Sequence, residues 1–241
     1  MSKCIVWLFG RGASAACGLT WTVPKEWASL ARDRQVEKIK LTLKQEMDAP
    51  YINTKPYKDL LVQLKRSKSP WHHRFVTTNW DYLLEREIEE LGLSITPHWL
   101  PETHVFHLNG TVEEFEDVCN FRSPFLLETD SASVRQTFKG VEANIAVNHL
   151  IWQKYFIVIG MSFSCEMDRS LLGFISRVQD HLIIGESTWI IINRSENSLK
   201  EVASHIKSVV PRANVDIIKR DFAAWVNGPL RELQKLGVLN P

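Results

Sequence analysis

A doubly wound, mostly parallel α/β sheet is the fold class this sequence predicts, and three observations predict it. Short runs rich in β-branched and aromatic residues recur along the 241 residues. Segments with helical spacing lie between them. Most of the runs are apolar throughout instead of alternating, the pattern of strands buried on both faces. Strands that alternate with helices pair in parallel, because each helix carries the chain back across the sheet. The result is a Rossmann-like sheet with a helical insertion after the first strand.

Taken in order, the strand runs are Cys4 to Phe9, Arg74 to Thr78, His104 to Leu108, Tyr155 to Ile159, Trp189 to Ile192 and Val215 to Ile218. Helical spacing marks Tyr82 to Leu91, Ser133 to Trp152, Arg169 to Leu182, Leu199 to Val209 and Phe222 to Leu236. The stretch from Pro24 to Ser69 is Lys-rich and carries apolar residues at helical intervals (Trp27, Leu30, Ala31; Leu60, Leu61, Leu64) with no strand run, which makes it the insertion, at about 24–69. Pro50, Pro56 and Pro70 punctuate it. No repeat or long linker divides the chain, so residues 1–241 are expected to form one domain.

Composition narrows the function classes. Apolar residues make 44% and charged residues 24% of the chain, the mix of an ordinary globular protein. With 29 Lys and Arg against 28 Asp and Glu, the net charge is +1, so no global field draws the protein to nucleic acid or to an anionic membrane. The apolar runs are too short to span a bilayer, and the first one ends in Gly10-Arg11-Gly12 instead of a signal-peptidase site. A cytoplasmic location is expected. Four cysteines, Cys4, Cys17, Cys119 and Cys165, stand singly, with no Cys-x-x-Cys pair for half a zinc site. They read as reduced thiols, and no metal is expected.

In a doubly wound sheet, ligands bind beyond the carboxyl ends of the strands. Five strand ends carry distinctive residues. Gly10-Arg11-Gly12-Ala13-Ser14-Ala15 follows the first strand with the Gly-x-Gly-x-x-Ala spacing of a dinucleotide loop, in which glycines let the backbone approach a pyrophosphate. A tight strand-to-helix turn accounts for the same spacing. The acidic residue of a hydride-transfer dehydrogenase, expected about 20 positions later, is missing, which disfavours that class. Thr77-Thr78-Asn79-Trp80-Asp81 follows the second strand, with Asn79 and Asp81 both able to cap a helix, although capping needs only one. Phe106-His107-Leu108-Asn109-Gly110-Thr111 closes the third. Gly160-Met161-Ser162-Phe163-Ser164, with Asp168 beyond, closes the fourth. Asn193-Arg194 closes the fifth. Judged singly, these last two read as plain turn and capping chemistry.

Together and in order, these segments resemble the sirtuin-like family, in the bacterial branch that hydrolyses NAD during phage defence. Gly10 to Ser14 is similar to the family's Gly-Ala-Gly-x-Ser loop, and Thr77 to Asp81 to its Thr-Thr-Asn-Tyr/Trp-Asp signature. Gly160-Met161-Ser162-Phe163 is similar to its Gly-Tyr/Thr-Ser-Leu turn, and Asn193 to its late nucleotide-binding Asn. The missing zinc cysteines point away from protein deacylases. The resemblance implies NAD cleavage to nicotinamide and ADP-ribose, with Asn79, Asp81 and Asn109 in catalytic roles. It places Gly10, Arg11, Gly12, Ala13, Ser14, Thr78, Gly160, Ser162 and Asn193 against NAD.

Two departures stand out. Arg11 replaces the family's usual Ala, and the catalytic Leu-His-Gly triplet is here Leu108-Asn109-Gly110. An amide has no proton affinity near neutrality, so Asn109 is able to orient a water or a ribose hydroxyl but not to deprotonate it. His107, two residues earlier on the same face and roughly 7 Å back along the strand, reads as a satisfied core histidine. The second functional reading is therefore a module that binds NAD or ADP-ribose without turnover, as a sensor or scaffold. With little chain beyond the fold, control is expected to come from homo-oligomerisation or a regulatory partner protein.

Overall fold

The computed structural model describes residues 3–67, 71–93, 105–112, 125–127, 130, 153–163, 168–169, 171–173, 175 and 186–239. Six parallel strands make one sheet: β1 (Cys4–Phe9), β2 (His72–Thr77), β3 (Val105–His107), β4 (Tyr155–Ile159), β5 (Thr188–Asn193) and β6 (Asn214–Lys219). Their spatial order is β3-β2-β1-β4-β5-β6. The chain builds outward from β1 to β3 and then restarts at β4 on the other side, which puts the topological switch point between β1 and β4.

Alternate side chains of β1 feed two cores. Ile5, Trp7 and Phe9 join one face with α1 (Arg11–Ala16), α2 (Arg32–Met47), α3 (Lys55–Ser67), α4 (Leu83–Glu90), α6 (Phe222–Val226) and α7 (Arg231–Lys235). Val6 and Leu8 face the opposite layer, packed by α5 (Glu196–Val209) and by Leu171, Leu172 and Ile175. That division into two helical layers is what the continuous apolar strands required.

Strand runs foreseen from composition match the observed strands to within two residues at either end. Burial differs at one of them. The edge strand β6 is largely exposed, with Ile217 49% accessible, whereas the opposite edge strand β3 is buried throughout. Between β1 and β2 lie α1, a short 3-10 turn (Lys25–Ser29), α2 and α3, with no strand among the described residues. The expected single helix from Phe222 to Leu236 is instead two. Gly228 and Pro229 interrupt it, and Leu230 takes a left-handed backbone conformation (φ 43°) at the start of α7. Of the segment from Arg169 to Leu182, residues 169, 171–173 and 175 are helical. The expected helix from Ser133 to Trp152, together with Cys119, Ser164 and Cys165, falls outside the described residues. Among the described residues no helix is long and apolar enough to cross a membrane.

At the switch point the β1–α1 turn lies directly on the β4 turn. Gly10 N–H donates to Ile159 O (3.0 Å), Gly12 N–H to Gly160 O (2.8 Å) and Gly160 N–H to Ile192 O (3.1 Å). Gly160 has φ +63°, and a Cβ there would stand 2.3 Å from Ala13 N. A Cβ on Gly12 would stand 2.7 Å from Gly160 Cα. Only hydrogen fits on either residue.

Two outcomes follow for stability. Gly160→Ala combines left-handed strain with overpacking, each of about 1–3 kcal/mol, and thermal melting should show Tm lower by roughly 5–20 °C. Gly173→Ala, with nothing within 4 Å of its Cβ, should leave Tm unchanged or slightly higher. The second outcome concerns acid. Trp7 Nε1–H donates to His73 Nδ1 (3.0 Å), which requires a neutral imidazole, and burial pushes His73 down to about 4 from its ordinary 6.5. A depressed folded value means that this stability is present above pH 6.5 and is lost as pH falls toward 4. His73→Gln, whose carbonyl still accepts from Trp7, should flatten that part of the Tm against pH curve.

Candidate functional site

The turn after β2 is built by its own hydroxyls. Thr77 Oγ1 donates to Phe9 O (3.1 Å) and accepts from Asn79 N–H (3.0 Å), so one side chain ties the turn to β1 and shapes it. Asp81 then accepts from Leu83 N–H (3.3 Å) at the start of α4. Asn79 caps nothing. Its Nδ2 instead crosses to Ser14 Oγ on α1 (2.9 Å), and Ser14 Oγ donates to Asp81 Oδ2 (2.7 Å). The capping explanation thus covers Asp81 and leaves Asn79 to another purpose.

This relay has a direction. A carboxylate only accepts, so Ser14 spends its one proton on Asp81 and turns lone pairs toward the Asn79 amide. Asn79 must therefore present nitrogen to Ser14 and Oδ1 away from it. Asn79 is half-buried, and its Oδ1 has no partner among the described residues. It is a pre-aimed acceptor at the carboxyl edge of the sheet, suited to a sugar hydroxyl or a water. Ser14 and Asp81 are themselves buried. Burial pushes the Asp81 carboxyl up, while the Ser14 hydrogen bond opposes the rise. Tyr57 of α3 is buried as well, and burial raises its phenol. Cys17, buried beside Asp81, is raised by desolvation and is an inert thiol.

Asn109 lies past β3 and sends its Nδ2 to Thr78 O (2.9 Å), again leaving only its Oδ1 as an acceptor. It is 3% accessible. Its backbone O accepts from Leu126 N–H (2.9 Å), and Trp80 completes this wall by donating to Leu126 O (3.2 Å) and stacking on Phe125 at 4.9 Å. Arg32 of α2 holds the same segment through a two-pronged ion pair with buried Asp130 (2.6 and 3.0 Å) and a bond to Phe125 O (2.6 Å). His107 is fully buried and points at Glu85 of α4 and at Asn79 O, in keeping with a satisfied core histidine.

Other candidate residues occupy the expected strand ends with more local partners. Gly10, Gly12 and Ala13 carry the switch-point contact, and an added Cβ on either glycine would collide with Gly160 or Met161. Gly12 and Ala13 amides already donate to Gly160 O and Gly10 O. Arg11 is exposed at the start of α1, with no ion-pair partner among the described residues. Ser162 is half-buried beside Phe163, whose φ of 51° is strained for a bulky residue. Asn193 Oδ1 accepts from Ser195 N–H (3.1 Å), ordinary turn chemistry ahead of α5. Asp168 is buried with partners of its own. Among the described residues no cluster of His, Cys, Asp and Glu has the geometry to hold a metal ion.

Sequence reasoning missed Ser14 as a bridge, Tyr57 and Glu85 as site supports, and the Arg32–Asp130 tie. Polar residues on helices carry no signal of this kind until the fold brings α1, α3 and α4 together. The relay makes a measurable claim. Ser14→Ala removes the donor that stabilises charged Asp81, so Tm should fall by several degrees, in line with roughly 1–3 kcal/mol for an unsatisfied buried acceptor. A raised carboxyl needs that donor only when ionised. The deficit against wild type should therefore be larger at about pH 7.5 than at about pH 5 in paired melts.

No family model and no curated protein matches the chain. Solved structures do. A Sir2 structure concerned with the mechanism and regulation of Sir2 enzymes matches with TM-score 0.56 at 15% identity, over 98% of this chain and 93% of that one. A His-to-Tyr variant of Sir2 with a p53 peptide and NAD gives 0.52 at 16% identity, over 97% and 92%. Sir2Tm bound to a propionylated peptide gives 0.51 at 15% identity, over 97% and 92%. With the strand order, the glycine switch point and the Asn79 turn in place, the chain has a Sir2-like, sirtuin-type fold.

Proposed function

We propose that this chain is an NAD glycohydrolase that cleaves NAD to nicotinamide and ADP-ribose at the carboxyl ends of β1, β2 and β3. The observation that carries the reading is the Asp81–Ser14–Asn79 relay, which aims one free amide oxygen at the strand ends. Asn79 Oδ1 accepts from a hydroxyl of the nicotinamide ribose or from the attacking water, and Asp81 acts on it through Ser14. Asn109 Oδ1 serves the ribose from the β3 side. Arg11 lies at the phosphates beside Gly10 to Ser14, with Thr78, Gly160, Ser162 and Asn193 along the nucleotide. The C1′–N bond breaks with its electron pair leaving on neutral nicotinamide, water adds to the oxocarbenium-like carbon, and its second proton passes to solvent. Loss of a cationic leaving group depends on electrostatics and positioning more than on a base.

A sirtuin-like NAD hydrolase fits a cytoplasmic antiphage effector, folded as one domain over residues 1–241 with its insertion at about 24–69. Its turnover would be governed by homo-oligomerisation or a regulatory partner, and no metal takes part. The NAD bound in one structurally similar Sir2 complex supports the choice of ligand. A second reading, a sensor that binds NAD or ADP-ribose without turnover, is favoured by one specific observation. The His107 ring is buried against Glu85 and Asn79 O, and Asn109 has no proton affinity, so no described group is a general base for the water.

Nicotinamide release from NAD by purified protein decides between them. Turnover in wild type, lost by at least about 100-fold in Asn79→Ala with an unchanged melting curve, is the outcome expected of the enzyme. Asn109→His should raise the rate about 10-fold or more where a missing base limits it, since general-base help is worth about 10²–10⁴. Calorimetric binding of ADP-ribose with no release in either protein identifies the sensor.

A further inference from the structure

The buried pair of His107 and Glu85 lies directly behind Asn79 and is used by neither binding nor bond cleavage as described above. His107 ends β3 with no accessible surface, and its ring is held at both nitrogens. Nδ1 lies 2.9 Å from Asn79 O, and Nε2 contacts Glu85 Oε1. A carbonyl oxygen only accepts, so Nδ1 carries a proton; Nε2 meets a carboxyl group, so a further proton lies on that line. The ring orientation is the same whichever atom holds it.

Energetics make this arrangement informative. Glu85 is buried, and its Oε2 has no hydrogen-bond partner among the described residues. Buried ion pairs are often no more stabilising than apolar residues of similar size, because desolvation cancels the attraction. Fold stability alone is a poor reason to keep such a pair beneath a turn. Geometry is a better one. Asn79 has its N–H on Thr77 Oγ1, its C=O on His107 and its Nδ2 on Ser14, which leaves Oδ1 as the group the turn delivers.

We propose that Glu85 and His107 are positioning residues of the Asn79 site: Glu85 fixes the imidazole, the imidazole fixes the Asn79 carbonyl, and the Asn79 side-chain oxygen is thereby aimed at the ligand. The proposal rests on the reading that Asn79 faces the nucleotide. It also gives the histidine nearest Asn109 a task that keeps it away from the ligand.

The test has one arm without ligand and one with it. Isotope-labelled protein reports the Asn79 side-chain amide by NMR, and calorimetry reports ADP-ribose affinity, in wild type, Glu85→Ala, Glu85→Gln and Glu85→Leu. Gln still reaches Nε2 with a hydrogen bond, so it should keep the Asn79 signals and bind within about threefold of wild type. Ala, or Leu where Ala fails to fold, should move or broaden those signals and weaken binding at least about tenfold. Unmoved Asn79 signals in the Ala or Leu variant, or a Gln variant as impaired as those two, overturns the proposal. Wild type that does not bind ADP-ribose removes the functional reading of the site, and the positioning claim then stands or falls on the Asn79 signals.

Discussion

The contact of glycine on glycine where the strand order reverses is the constraint on which the rest of the site depends. With Gly12 and Gly160 against each other, the β1 and β4 turns share backbone hydrogen bonds instead of being splayed apart by side chains. That contact fixes where α1 begins. From there Ser14 is carried one helical turn inward, beneath the turn that follows β2. A displacement of α1 by the width of a methyl group would part Ser14 from both Asn79 and Asp81, whose hydrogen bonds leave only tenths of an ångström to spare.

Around that anchor the site is assembled from groups that orient one another and not from groups that titrate freely. Thr77 shapes the turn, Asp81 polarises Ser14, Ser14 turns the Asn79 amide, and the His107–Glu85 pair holds its carbonyl. Each of these polar atoms is largely withdrawn from water, where a satisfied network is rigid and a broken one is costly. Groups held in this way present fixed dipoles to whatever binds beside them. Asn109 belongs to the same pattern, since its side-chain nitrogen is committed to Thr78 O and its Oδ1 is left as an acceptor.

Much of this was legible in the chain. Continuous apolar runs such as Tyr155 to Ile159 identify strands because only two-sided burial tolerates them, and the Thr77 to Asp81 segment drew attention because one capping residue too many was present. The two-residue offset between His107 and Asn109 already implied that the histidine sat back in the core. Less was legible where a second role depends on distant packing. Gly10 and Gly12 read as a phosphate loop from local spacing, but that spacing says nothing of their contact with the Gly160 turn, about 150 positions away. Asn193 also accepts from Ser195 N–H within its own turn. At the C terminus helical spacing persists across Gly228 and Pro229, but a proline without an amide hydrogen and a left-handed Leu230 divide the segment.

Polarity and spacing along the chain were enough for the alternation of strand and helix, the two-faced burial of the sheet and the helical stretch between β1 and β2. These follow from side-chain polarity and backbone preference over a few neighbouring residues. Tertiary structure alone decided that Asn79 answers to Ser14 and not to its own helix, that His107 pairs with Glu85, that Arg32 grips Asp130, and that two glycines meet. Those partners are separated by 65, 22, 98 and about 150 positions along the chain. No local rule couples residues so far apart, because their encounter depends on the packing of whole elements whose positions are set by the sheet.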